Sequence, residues 1–170
     1  MLRQRLVAPL PVNKPGYATP SEEAGPYHFN TADQYLQAHA VADPDLWAAK
    51  LAADQFVGAD AIEYSANRDT FGFEALKFGS QAAAEDFHRV TLRSECATGT
   101  MTDVRTIPGT PGGLAYRYPA PGLPPPQASF VIGDTVVHVH ICDCKDLPNL
   151  DRLTTSWAGE IALDMGANGH

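Results

Sequence analysis

Cysteine is scarce, three in 170 residues, and the odd number leaves at least one thiol outside any intramolecular disulfide. A densely stapled scaffold is therefore excluded. Lysine is almost as rare, at four, and the Lys and Arg total of 12 against 20 Asp and Glu gives a formal net charge of −8. The basic residues are scattered, which argues against nucleic acid or an anionic membrane as partner. No apolar run approaches the roughly eighteen residues a spanning helix needs, so no transmembrane segment is expected. There is also no Gly-rich phosphate loop, no Gly-x-Ser-x-Gly elbow and no His-Glu-x-x-His. No catalytic residue, cofactor or metal is expected. The N-terminal MLRQRLVAPLPVNKPGY lacks the apolar core of a signal peptide. Two readings stay open: a cytoplasmic protein, or a chain that begins after a removed signal or anchor.

The strongest signal present is Gln127–Cys144, QASFVIGDTVVHVHICDC. Two apolar runs separated by Gly133-Asp134 predict a β-hairpin. Side chains alternate along a strand, so Val137, Val139 and Ile141 share one face and Val136, His138, His140 and Cys142 the other. The first set belongs in a core. The second, extended to Cys144, is a row of potential metal ligands, or else a solvated or partner-facing surface.

Upstream, Met1–Asn30 is rich in Pro and Gly without periodicity and reads as an extended arm, docked through Leu6, Val7, Leu10 and Val12. Residues 31–170 are expected to form a single domain. Thr31 and Gln34 fit a capping box for a short helix, and Asp43-Pro44 fits a cap and first position for a second. Asp60–Ala66 and Thr70–Gly79 read as paired strands. Ser80 caps a helix, QAAAEDFHRVTLRSECA, with Ala83, Ala84, Phe87, Val90 and Thr91 as its apolar stripe. Met101–Pro108 and Leu114–Tyr118 are shorter strands, and Pro119–Pro126 is a polyproline loop. Leu150, Leu153, Trp157, Ile161 and Leu163 mark a last helix, with Gly166 where a cap belongs. This order predicts an α+β fold, an antiparallel sheet with helices packed on one face.

The succession LKFGSQAAAEDF, TIPGTPGG, hairpin and helix resembles secreted lipoproteins of actinobacteria. More distantly it is similar to the extracellular sensor domain of mycobacterial membrane serine/threonine kinases. The likeness runs from about Ile62 to Leu163. In the kinase sensor, a cysteine near the helix end and one near the late strand's end belong to disulfides, and Cys96 and Cys142 occupy comparable places here. This chain departs from the pattern in having three cysteines, not four, and in showing no lipobox. The resemblance implies a non-catalytic cell-envelope domain, extracellular, that binds or senses an unknown small molecule or envelope protein; a cytoplasmic location is the alternative.

On that reading His138 and His140 are the candidate ligand-binding residues, and Cys96 and Cys142 the candidate disulfide, with Cys144 the other possible partner of Cys96. The competing reading is a metal-handling or thiol-dependent protein using His138, His140, Cys142 and Cys144. Geometry opposes it: same-face neighbours on a strand stand roughly 7 Å apart, so one straight strand cannot wrap four ligands around an ion.

Overall fold

Apolar strands dominate the middle of the chain, and they assemble into one antiparallel sheet. The computed structural model describes residues 22–39, 43–66, 69–97, 101–118, 126–142 and 147–167. The strands are β1 (Glu22–Phe29), β2 (Phe56–Ala66), β3 (Asp69–Phe78), β4 (Thr102–Thr106), β5 (Leu114–Arg117), β6 (Gln127–Ile132) and β7 (Thr135–Cys142). The helices are α1 (Ala32–His39), α2 (Pro44–Ala53), α3 (Gln81–Ala97) and α4 (Leu147–Ala167). Sheet order is β1-β2-β3-β7-β6-β5-β4, so β3 and β7 are neighbours near the centre. Every pairing is antiparallel. The expected α+β class and the antiparallel sheet hold.

Most local signals act as their residues dictate. The Gly133-Asp134 turn joins Ile132 directly opposite Thr135, with Gly133 at φ 55°, a left-handed conformation that glycine adopts without steric cost. Ser80 Oγ accepts the Ala83 N–H at 3.2 Å and caps α3. Thr31 Oγ1 accepts the Gln34 N–H at 3.2 Å, while Gln34 Oε1 accepts from Asn30 N–H, one residue earlier than a capping box requires.

Several expectations are corrected. Part of the presumed arm, Glu22–Phe29, is an edge strand on β2. Asp43 takes a left-handed backbone and makes no side-chain cap, so Pro44 alone marks the start of α2. Helix α4 runs through Gly166 to Ala167. Leu163 is 69% exposed, and the described inward stripe of α4 is Ala158, Ile161, Ala162 and Met165. The docking residues of the arm and most of the polyproline loop lie outside the described residues.

Helices cover both faces of the sheet, not one. Ala128, Phe130, Val137 and Val139 pack with Phe73 and Ala75 against Ala158, Ile161 and Met165 of α4. On the opposite face Ala59, Leu76, Phe78 and Val136 pack against Leu36 of α1, Leu51 of α2, and Ala84 and Phe87 of α3. The reason lies in the central strands, which carry apolar residues at both odd and even positions and cannot leave either face in water. Lys50 on α2 ties the second layer together, bridging Asp54 at 2.7 Å and Asp86 on α3.

Val139 has no exposed surface and sits in the layer beneath α4. Val139→Asp should cost on the order of 3–5 kcal/mol through an uncompensated buried charge, most of the stability of an ordinary domain. A urea-unfolding midpoint close to the wild-type value would contradict the placement of this core.

Candidate ligand-binding site

On the face shared with α1, α2 and α3, the centre of the sheet is polar. Strand β3 presents Gly72, Glu74, Leu76 and Phe78 on this side, and β7 presents Val136, His138 and His140. Register places Glu74 opposite His138 and Gly72 opposite His140. The face is apolar below this level and carries a carboxylate and two imidazoles at it. Helices α1 and α3 do not close over them. A cavity of about 600 Å³ remains, lined by Glu74, His138 and His140 from the sheet, His39 from α1, Trp47 from α2 and Glu95 from α3.

Glu74 is the most constrained group. His39 Nε2 stands 2.8 Å from Oε1, and the Tyr35 hydroxyl donates to Oε2 at 3.2 Å. His39 Nδ1 meets the Tyr35 carbonyl at 2.7 Å. A carbonyl and a carboxylate only accept, so both ring nitrogens of His39 donate and the imidazole is cationic. Its pKa accordingly lies above the usual 6.5, chiefly through the hydrogen bond to Glu74. For Glu74 burial alone would raise the pKa, but the His39 hydrogen bond, nearby imidazole charge and Tyr35 together hold it below 4.5. Tyr35 moves far upward, mainly by burial and then by the Glu74 charge. Its ring stacks on His39 at 4.2 Å between centroids, fixing the donor that reaches the carboxylate.

A second acid lies across the cavity. Glu95, on α3, accepts from the Tyr118 hydroxyl at 2.8 Å, and Tyr116 packs edge-on to Tyr118 with centroids 5.5 Å apart. Burial raises the Tyr118 phenol to about 12. His138 stands within electrostatic reach of both Glu74 and Glu95. It keeps some accessible surface because it faces the cavity, yet burial dominates and holds its pKa below 6.5, against the pull of the two carboxylates. Behind it His88 of α3 is 6% exposed, with a pKa lowered to about 4, first by burial and then by His138. Both imidazoles are therefore neutral at pH 7. Ser129, opposite His138 on β6, is wholly buried on the same side.

The expected histidine pair is thus brought together, but in a cavity between the sheet and the helices, not on a bare sheet surface. Cys96 is an exposed thiol in no disulfide among the described residues, on the rim of a separate groove with Arg93 and Met101. Cys144 and the side chain of Cys142 lie outside the described residues. Among the described residues no three His, Cys, Asp or Glu side chains converge to hold a metal ion. Residue patterns alone did not single out Glu74, Tyr35, His39, Glu95, Tyr116 or Tyr118. For Glu74 a signal existed: it is a lone carboxylate on a strand face otherwise made of Gly72, Leu76 and Phe78. For Glu95 and His39 there was none, since both stand on helices where a solvated charge is the common case.

No family model matches the chain, and no curated protein matches it. Among solved structures the fold has a clear counterpart. The crystal structure of the extracellular domain of PknH from Mycobacterium tuberculosis aligns with a TM-score of 0.52 over 86% of this chain and 83% of that one, at 15% identity. At that identity the likeness concerns the fold. It agrees with the mycobacterial sensor-domain resemblance of the sequence; the likeness to lipoproteins rests on the sequence alone. No helix among the described residues is long and apolar enough to cross a membrane.

The position of His140 depends on Gly72. A Cβ built at Gly72 would lie 1.8 Å from His140 Cε1, so the imidazole ring rests directly across the glycine backbone. Gly72→Ala should displace the ring and cost about 1–3 kcal/mol by overpacking, although alanine is otherwise favoured over glycine in a strand. Thermal unfolding of Gly72→Ala, His140→Ala and the double variant checks this. The double variant should recover most of the loss; equal losses with and without His140 would show that the ring does not occupy that space.

Proposed function

We propose that this chain is a non-catalytic binding or sensing domain of the cell envelope, and that its ligand occupies the cavity in front of His138 and His140. The observation that carries the proposal is His138: a neutral imidazole facing a cavity of about 600 Å³, with no hydrogen bond to either ring nitrogen from the described residues. Left dry, such a group costs on the order of 1–3 kcal/mol, a cost that a ligand or ordered water removes. The volume falls within the range common for small-molecule sites, and polar groups share the lining with Trp47, Phe87 and Leu51. An external location draws support from the fold shared with an extracellular domain.

Catalysis is the weaker reading of the same groups. Glu74 already holds two donors, and Glu95 accepts from Tyr118, so neither carboxylate is poised as a free base.

Thr91 lines the cavity from α3 and is half-buried, its hydroxyl bonded only back to the Phe87 carbonyl of its own helix at 3.0 Å. Thr91→Trp should fill the space while leaving the fold intact. A fragment screen read by amide NMR should give hits whose perturbed residues cluster around His138, Glu74 and Trp47, and those hits should vanish in Thr91→Trp. Hits confined to other surfaces, or hits indifferent to the tryptophan, would refute the assignment.

A further inference from the structure

The charged groups of the cavity are engaged within the protein, and His138 stands beside them as a neutral hydrogen-bonding group. Among the described residues that line it there is no Lys and no Arg, and the acids are Glu74 and Glu95. An anionic ligand would face two carboxylates with a single imidazolium, His39, already committed to Glu74. A cation would have to displace the donors that now hold Glu74 (His39 Nε2 and the Tyr35 hydroxyl) or share Glu95 with Tyr118. Either exchange loses charge-assisted hydrogen bonds that are already made.

Among the lining groups, His138 combines hydrogen-bonding capacity with no charge. His138 can offer one donor and one acceptor, as neutral imidazole does. A hydroxyl group matches such a site because it donates and accepts at once. The lining also includes Trp47 and Phe87, packed edge to face with their rings 64° apart and centroids 5.9 Å apart. A flat C–H face packed on aromatic rings, with hydroxyls at its edge, is the chemistry of a sugar ring.

We infer that the cavity takes a neutral sugar ring, its hydroxyls meeting His138 and its C–H face toward Trp47. This rests on the binding-domain reading above and narrows it to a ligand class.

The test uses the full chain, followed by amide NMR, titrated with glucose, galactose and mannose. Glucosamine, galactosamine and mannosamine serve as cationic counterparts, glucuronate and galacturonate as anionic ones, and cyclohexanol as a neutral probe without a sugar's hydroxyl set. At least one neutral sugar should shift resonances around His138, and its charged counterparts should bind about tenfold more weakly or worse. His138→Phe should weaken that sugar about tenfold, with the fold retained in the same spectra. An amino sugar or uronate binding as well as the neutral form would overturn the inference. So would binding of cyclohexanol alone, which would leave the cavity standing as a binding site. Silence from every probe, cyclohexanol included, would remove both the inference and the cavity assignment. Selectivity in the wild-type protein decides the matter even if His138→Phe does not fold.

Discussion

A carboxylate in the middle of a sheet that is covered on both faces has to find donors, and this constraint organises one side of the molecule. Glu74 stands on a central strand, with α4 on the reverse face and three helices on its own. A buried acid without partners would cost several kcal/mol or give up its charge. Here His39 and Tyr35 meet both oxygens, and since both come from α1 they fix how that helix sits above the sheet. Phe29 packs edge-on to Tyr35 and Phe56 packs against it too, so aromatic contacts from β1 and β2 keep the donors in place.

The cavity follows from the same constraint. Where the face is apolar, at Leu76, Phe78 and Val136, helix side chains pack directly on it. At the level of Glu74, His138 and His140 the helices stand off, and the space is edged by groups that already have partners or are neutral. The separation matters for binding. Charges satisfied within the protein need no reorganisation when a ligand enters, while neutral imidazole and hydroxyl groups can exchange water for ligand at small cost.

The fold was largely legible from residues. The Gly133-Asp134 hairpin, the Ser80 cap and the alternation that buries Val137 and Val139 all rest on local chemistry, and all appear as expected. What failed was tertiary. The second apolar face of β3 and β7 was present in Leu76, Phe78 and Val136, yet the helices were placed on one side, because alternation does not say what covers each face. The strand Glu22–Phe29 carries Gly25 and Pro26, which weaken a strand reading, and it pairs only at the edge, where proline is tolerated. Of the candidate site, His138 and His140 were visible because they interrupt a β-branched run. Their partners were not: His39, Glu95 and Tyr118 come from elements distant in sequence, and a helix surface gives no sign of which of its charges the fold will bury.

The ionisation of Glu74 is the most direct readout of this pairing. Side-chain NMR of glutamate carboxyl carbons across an acid titration reads it without a mutation. Burial alone would push this carboxyl above 4.5; the hydrogen bond from His39, the charges of His138 and His39 and donation from Tyr35 together bring it below. The account predicts a Glu74 midpoint below 4.5, with His39 titrating above 6.5 as its counter-charge. A Glu74 midpoint above 4.5, or a His39 midpoint below 6.5, would mean the pair is not formed and the cavity is not built as described.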